Sequence, residues 1–554
     1  MRPLVAALLF GCVNTVSAPP PPEAPAVAFP TGDQRAVDMV WIVDQSGSMR
    51  DNQVNLVRSA PAFFDALVRP MADPRDGRQL AALASLHFGV LSDDLGTPGS
   101  MVPACADAEV GDDGRLNPIR NGPAIRRHQP WTHSAPGIRP ARCENRSDQY
   151  PNFLRFQAGE DLAAWSEDVT CNALLGVGGC GLEQQLEGAY RGLVLREATS
   201  RRESNQGFLR DHAVLAMLVV SDEEDGSVRD CRYREPSDPD GVCPPDGSGS
   251  RLGIFDSTDP SWASADLNLR FYMYRPGSAQ DAMWPLGRYI DPGDLSRGFP
   301  GLKPGHPERV IFGGILGVPL DLPRVAGSRD LDDPRAVDWA RLLGTSPDGV
   351  DGLVADSAEG PVSMRQRNAD WNCATRVVPA CRREGTTHDP AACDTTRQYF
   401  AWPARRIAEV ARRFAVLNGN AMIDSICRND YRDALERFAR TIRRRLVPAG
   451  CLPRAVSSAR DCVVRESLPA TVSSAVACTA ARGRVPGPRD DAGRETCVVT
   501  AARTAPDGRP TTAGFFIDPS PERFVGCEAR VVFSPGAEPL PGAAATISCA
   551  EWVR

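Results

Sequence analysis

The sequence contains almost no lysine, few histidines and no long apolar run. Of its 63 Lys and Arg residues only Lys303 is a lysine, a bias typical of genes with high GC content. The formal net charge is −7, so no excess of basic charge favours nucleic acid as a partner. Beyond the N-terminus, no segment approaches the roughly 18 consecutive apolar residues of a membrane-spanning helix. The composition, with 42% hydrophobic residues, is instead that of a chain able to form a sizeable core.

The cysteines predict disulfides rather than zinc. The chain has 17 Cys and 6 His, and no two cysteines stand in the C-x2-C spacing of structural zinc sites. Setting Cys12 aside leaves 16 cysteines, an even number that suits an exported, oxidised chain. Proximity in the sequence predicts four of the pairs: Cys105–Cys143, Cys171–Cys180, Cys231–Cys243 and Cys527–Cys549.

The N-terminus is typical of an export signal. Residues 1–12 hold one positive residue, a short apolar stretch and the sequence LFGC, which resembles the lipobox of bacterial lipoproteins. This resemblance implies cleavage before a lipid-bearing Cys12, followed by a Pro-rich linker over residues 13–36. Because Val13 and Asn14 follow, with no aspartate that would signal inner-membrane retention, we expect an outer-membrane lipoprotein that faces the periplasm or the cell surface. An ordinary cleaved signal peptide is the alternative.

The stretch from Val37 to Ser48, VDMVWIVDQSGS, predicts a buried strand that ends in oxygen-bearing side chains. Its apolar run lacks alternation, as in a parallel strand covered on both faces. The run stops at Asp44, and hydroxyls follow at Ser46 and Ser48. One carboxylate and two hydroxyls on a tight loop are the hard oxygen ligands that Mg2+ prefers.

A second apolar run predicts a neighbouring strand. Residues 213–220 read AVLAMLVV and are followed by Ser221 and Asp222. In an open α/β sheet, ligands bind outside the carboxyl ends of strands at a topological switch point. We therefore expect Asp222 to lie beside the oxygen donors that follow the first strand.

The D-x-S-x-S pattern after one strand, with an aspartate after another, resembles the metal-ion-dependent adhesion site of von Willebrand factor type A (vWA) domains. Longer phrases such as GCGLEQQLEGAYRGL and GHPERVIFGGILGVP are similar to those of large vWA lipoproteins from GC-rich Gram-negative bacteria. The resemblance covers residues 37–450 and implies a doubly wound, mostly parallel, Rossmann-like α/β sheet. It further implies a Mg2+ or Mn2+ ion that mediates binding to a protein or a surface polymer. The ligands it implies are Asp44, Ser46, Ser48 and Asp222.

One position departs from the family pattern. The family has a threonine before a helix, and the spacing places Cys180 at that position. An oxidised cysteine supplies no hydroxyl. Glu183 is the alternative oxygen donor, directly or through water, and without it we expect weaker metal binding than in a complete site.

The rest of the chain divides into insertions and a second domain. Segments rich in Pro, Gly and polar residues predict insertions in the vWA domain near 97–165, 230–305 and 320–398. Residues 451–554 carry six cysteines, short Val/Thr-rich runs and Gly/Pro turns, and predict a small β-rich domain stapled by disulfides. Its segment between Cys527 and Cys549 predicts a hairpin.

Three functions are compatible with these features. The first is a binding protein with no enzymatic activity, which contacts its partner through the cation. The second is a hydrolase that uses Asp222, Glu223 and Glu224, although a solvated acidic rim is the favoured interpretation of that cluster. The third is a structural envelope lipoprotein with a degenerate metal site. Fold alone does not decide among them.

Overall fold

The structure is a computed structural model of two domains. The larger domain is Asp33–Pro448, and the smaller combines Met1–Gly32 with Ala449–Arg554. The residues that the structure describes are 26–32, 34–97, 105, 108–121, 150–195, 205–229, 283–328, 330–343, 380–385, 400–456, 462–503, 510–518, 524–540 and 542–549. The predicted signal peptide with Cys12, most of the predicted linker and large parts of the three predicted insertions lie outside these ranges. None of the described helices is both long and apolar enough to cross a bilayer.

Strand β1 (Val27–Phe29) belongs to the smaller domain and is described with it. The strands of the larger domain are β2 (Ala36–Val43), β3 (Ser85–Ser92), β4 (Leu154–Gln157), β5 (Val214–Ser221), β6 (Val310–Leu316), β7 (Cys381–Arg382), β8 (Phe400–Ala401) and β9 (Ala421–Ser425). Its helices are α1 (Arg50–Val68), α2 (Pro118–Asn121), α3 (Leu162–Ala173), α4 (Gln185–Leu193), α5 (Trp339–Leu343), α6 (Arg405–Asn418) and α7 (Arg432–Arg443).

Six strands form one mostly parallel sheet in the order β4-β3-β2-β5-β6-β9. All neighbours are parallel except β4, which runs antiparallel to β3 at the edge. Every residue of β2 and β5 is buried, which explains their apolar runs without alternation. Strands β3 and β4 follow β2 on one side of the sheet, and β5, β6 and β9 follow in order on its other side. The predicted α/β class with a mostly parallel sheet is confirmed, and β2 and β5 flank the point where the strand order reverses.

Helices cover both faces of this sheet. On one face Trp41 of β2 packs on Phe64 of α1 with ring centroids 5.9 Å apart, and Phe64 meets Trp165 of α3 at 4.8 Å. Phe438 of α7 stacks on Phe63 of the same cluster at 6.1 Å. On the other face Val40 and Ile42 belong to a core that includes the apolar side chains of α4 and α6. Helix α1 is one continuous helix although Pro61 lies inside it.

The smaller domain contains two antiparallel sheets with a common core. Its strands are β1, β10 (Cys451–Leu452), β11 (Cys462–Ser467), β12 (Arg484–Gly487), β13 (Thr496–Val499), β14 (Phe515–Asp518), β15 (Ala529–Phe533) and β16 (Ala544–Cys549), and its one α-helix among the described residues is α8 (Ser474–Ala477). The sheet orders are β1-β16-β11-β13-β12 and β10-β15-β14. Side chains of both sheets, among them Val464 and Val531, share one apolar cluster.

Two predictions for this domain are wrong in detail. The predicted hairpin is not formed, because β15 and β16 lie in different sheets. Cys549 faces Cys462 in the register of β11 and β16 and forms its disulfide there, while Cys527 pairs with Cys451. Within the segment predicted as a linker, residues 27–29 form β1, which pairs with β16 of this domain.

Two further predicted disulfides, both in the larger domain, are wrong. Cys105 pairs with Cys180, so neither the predicted Cys105–Cys143 nor Cys171–Cys180 bridge is formed. Cys171 is itself disulfide-bonded, and Cys231 and Cys243 lie outside the described residues. The described bridges not mentioned so far are Cys381–Cys427 and Cys478–Cys497. Proximity along the chain did not identify the partners, because long insertions bring distant cysteines together.

Candidate functional site

The two strands predicted to carry the site are neighbours. Strands β2 and β5 are parallel, with Val43 opposite Val220, and the Asp44 N–H donates to the Val220 carbonyl over 3.1 Å. Asp44 and Asp222 therefore leave the sheet at the same edge, where the strand order reverses. This is the location at which open α/β sheets bind ligands.

Asp44 organises the loop that follows β2. Its side chain is fully buried; Oδ1 accepts from the Ser46 N–H at 2.6 Å, and Oδ2 accepts from the Ser221 hydroxyl at 2.6 Å. Burial raises the pKa of Asp44, and these hydrogen bonds oppose the shift. The carboxylate thus holds the loop in the turn that precedes a short 3-10 helix, Gly47–Met49, and then α1.

The predicted hydroxyls and the second aspartate converge beside this turn. The Ser48 Oγ lies 3.0 Å from Asp222 Oδ1 and 3.1 Å from the Ser46 Oγ. Asn52, in the first turn of α1, donates to the other oxygen of Asp222 at 3.4 Å. Asp222 is buried, and burial together with the negative charges of Asp44 and Glu223 raises its pKa well above the ordinary value. Ser48 is exposed, so the group opens to solvent on one side.

The position that departs from the family pattern lies against this loop. Cys180 is oxidised, as predicted, and its N–H donates to Asp94 Oδ2 at 3.0 Å. Its neighbour Gly179 packs so tightly that a Cβ there would lie 2.7 Å from the Gln45 Cβ. Glu183 precedes α4 and is 2% exposed. The oxidised sulfur of Cys180 supplies no hydroxyl. Glu183 is the first carboxylate that follows it on this segment, and the next, Glu187, is paired with Arg288.

The acidic run after β5 is not the solvated rim that the sequence favoured. Glu223, Glu224 and Asp225 are 9%, 4% and 0% exposed. Arg405 Nε lies 2.8 Å from Glu224, and Arg406 Nε lies 2.9 Å from Asp225. The sequence did not indicate these pairs, because the arginines lie some 180 residues further along the chain. Glu224 and Asp225 thus belong to an interior ion-pair network.

Three residues that the sequence did not single out also support the loop. Ser221 binds Asp44, Asn52 binds Asp222, and Asp93 accepts from the Gln45 N–H at 3.1 Å. Asp93 follows β3 at the same sheet edge, and Asn52 lies four residues after Ser48. The available signal in each case was position after a strand, or one helical turn from a predicted ligand.

The oxygen atoms of this group fit a small, hard cation. Two carboxylates and two hydroxyls are the donor types that Mg2+ and Mn2+ accept, and Ser48 and Asp222 already lie within hydrogen-bonding distance of each other. Among the described residues no cluster of three or more His, Cys, Asp or Glu side chains is placed to hold a metal ion. Any cation site at this edge therefore depends on the serine hydroxyls as well as the aspartates.

No protein-family model matches the chain, and no curated protein matches it significantly.

Proposed function

We propose that this chain is an exported vWA-type binding protein, in which a Mg2+ or Mn2+ ion held by Asp44, Ser46, Ser48 and Asp222 mediates attachment to a protein or a surface polymer. The observation that supports this most strongly is the contact between Ser48 and Asp222. These two residues lie far apart in the sequence, and their oxygens meet 3.0 Å apart at the switch point of the sheet.

In this proposal the role of each residue follows from its position in the loop. Asp44, Asp222 and the hydroxyls of Ser46 and Ser48 hold the cation. Asp44 also orients the loop, because its carboxylate accepts from the Ser46 N–H and the Ser221 hydroxyl. The cation supplies a positive centre that an acidic group of the partner can bind. Exposure of Gly47 and Ser48 leaves room for that group. A binding role suits such an open loop better than a closed catalytic pocket would.

The alternative functions have less support. A hydrolase that used Glu224 would need a carboxylate free to exchange protons with substrate, and Arg405 and Arg406 both bind this one. A structural lipoprotein with a degenerate site would not require the alignment of Ser48 with Asp222. We place the protein in the cell envelope of a Gram-negative bacterium, attached through lipid on Cys12.

Isothermal titration with Mg2+ and Mn2+ tests the cation. We expect wild type to bind both ions and Asp44→Ala to bind neither, because the loop loses the carboxylate that folds it. Asp51→Ala is the matched control: it removes an aspartate near the same sheet edge whose partner is Arg383, 3.3 Å away. This variant should bind like wild type. Absence of heat and of any thermal shift for wild type at millimolar metal would refute the proposal.

Pulldown from envelope extract tests the partner. The wild-type chain should retain a protein or polymer in the presence of Mg2+ and release it when a chelator is added. Asp44→Ala should retain nothing under either condition. Retention that is indifferent to both chelator and variant would contradict attachment through the cation.

A further inference from the structure

The Ser221 hydroxyl has hydrogen-bond partners besides Asp44. Ser221 is the last residue of β5 and is fully buried, and its Oγ lies 2.6 Å from Asp44 Oδ2. The Nε2 of Gln185 lies 2.7 Å from the same Oγ, and the Glu223 N–H donates to it at 3.0 Å. Ser221 therefore joins Gln185, the first residue of α4, to the carboxylate that organises the loop after β2.

These partners fix the direction of the Ser221 proton. A hydroxyl has one proton to donate and two lone pairs that accept. The ionised carboxylate of Asp44 can only accept, and the Glu223 N–H can only donate. The Glu223 carbonyl also lies within reach, but at 3.4 Å it is more distant and carries no charge, so the proton points at Asp44. Gln185 must then present its amide NH2 group to Ser221, and not its carbonyl oxygen.

The start of α4 holds the Gln185 side chain in this place. The N–H of Leu186 donates to Asp225 Oδ1 at 3.0 Å, and the N–H of Glu187 donates to the Ser227 Oγ at 3.0 Å. Both acceptors belong to the segment that follows β5. The amide of Gln185 thus reaches the end of β5 from a piece of backbone that is itself bonded to the chain beyond that strand.

We propose that Gln185 is a positioning residue for the cation site, which acts through Ser221 to hold the Asp44 carboxylate in the orientation that the cation requires. This inference rests on the proposed function. Asp44 is held from two sides, because Oδ1 accepts from the Ser46 N–H and Oδ2 accepts from the Ser221 hydroxyl. Each oxygen keeps a further lone pair for the ion. Without the amide, the hydroxyl is free to rotate, and one of the two bonds that orient Asp44 is weakened.

The test compares Gln185→Met with Gln184→Met in the full chain. Methionine keeps roughly the length and volume of glutamine and removes the amide. Gln184 is the matched control, because it is 1% exposed and its amide donates to the Gly96 carbonyl at 2.8 Å instead of to Ser221. In both glutamines Oε1 has no hydrogen-bond partner within the described part of the chain. We measure Mg2+ and Mn2+ affinity by calorimetry, and melting temperature to confirm that each variant is folded.

For Gln185→Met we expect the affinity for both ions to fall by about 10- to 100-fold, as for other outer residues of metal sites. Gln184→Met should match wild type in affinity. Equal losses in the two variants would show that any buried amide on this segment has the same effect, and would overturn the inference, as would an unchanged affinity in Gln185→Met. Failure of wild type to bind either ion would instead refute the proposed function.

A double-mutant cycle with Ser221→Ala tests whether Gln185 acts through the hydroxyl. Ser221→Ala should itself lower the affinity, and adding Gln185→Met should lower it no further, because the connection to Asp44 is already broken. Losses that multiply in the double variant would show that Gln185 acts by another route and would contradict the inference. If Gln185→Met does not fold, Ser221→Ala alone decides, since an affinity equal to that of wild type would exclude a role for the hydroxyl.

Discussion

Arg443 offers a test of the fold that does not depend on the metal. It lies in the last turn of α7 and is 1% exposed. Its guanidinium donates to four backbone carbonyls: Ala66 and Arg69 at 2.7 Å each, Ala81 at 3.0 Å, and Leu80. Burial lowers the pKa of Arg443 to about 10, so the group remains charged at neutral pH. One side chain thus ties α7 to the end of α1 and to the segment before β3.

Replacing Arg443 by Met keeps most of the aliphatic volume and removes every donor. At about 1–1.5 kcal/mol for each hydrogen bond lost, the four carbonyls together predict a destabilisation of about 4–6 kcal/mol. Typical domains have total stabilities of about 5–15 kcal/mol, so this variant should be close to unfolding. Arg432→Met on the same helix is the control, because Arg432 is 64% exposed and pairs only with Asp430 at the surface. We expect Arg432→Met to change the stability little, because exposed ion pairs contribute little to it.

Urea unfolding followed by tryptophan fluorescence measures both variants. Eight of the nine Trp residues lie in the larger domain, so the signal reports on that unit. The midpoint should fall strongly for Arg443→Met with an unchanged slope, and barely for Arg432→Met. A loss below about 1.5 kcal/mol for Arg443→Met would show that water replaces the guanidinium at these carbonyls, and would refute the reasoning.

Two further predictions concern acid stability and chemical modification. Burial acts to raise the pKa of Asp73, but the hydrogen bonds and charge of Arg444 outweigh burial, so the pKa of Asp73 lies below the ordinary 3.8. The pair of Asp73 and Arg444 therefore stabilises the folded state above pH 3.8. This stabilisation is lost as the pH falls through the folded-state pKa. The stability difference between wild type and Arg444→Met should therefore shrink on acidification from pH 7, and a constant difference down to about pH 2.5 would contradict this assignment. Mass spectrometry of the exported chain should find a lipid-bearing N-terminal Cys12 and no alkylatable thiol before reduction. An unmodified N-terminus elsewhere would end the lipidation hypothesis, and several labelled cysteines in the unreduced, unfolded chain would contradict full oxidation.

The parts of the site that were predictable all follow strands. Residues 39–43 before Asp44 and residues 213–220 before Ser221 and Asp222 are apolar without alternation, as in a strand covered on both faces. Once both are strands of one open sheet, their polar ends meet by geometry. Edge strand β4 was not predicted, because its four residues carry little pattern and lie inside a predicted insertion.

The sequence pattern did not reveal ion pairs and disulfides between residues that are distant in the sequence. From the sequence alone, the acidic run after β5 is expected to be solvated, because like charges that follow one another in a sequence normally face water. In the fold Arg405 and Arg406 come from the start of α6 to meet it, and the run becomes interior. The cysteines behave in the same way: Cys105 and Cys180 are 75 residues apart and nevertheless bonded.

The sequence by itself determined the class of fold, the strand ends that carry Asp44 and Asp222, and the oxidised state of Cys180, because each depends on local composition or on the number of cysteines. Tertiary structure alone decided which charges are paired. Glu224 and Asp225 receive arginines, while Glu183 is buried beside other carboxylates with an unsatisfied oxygen. The energy of a buried charge depends on what surrounds it in three dimensions, and neighbours in the sequence do not report that environment.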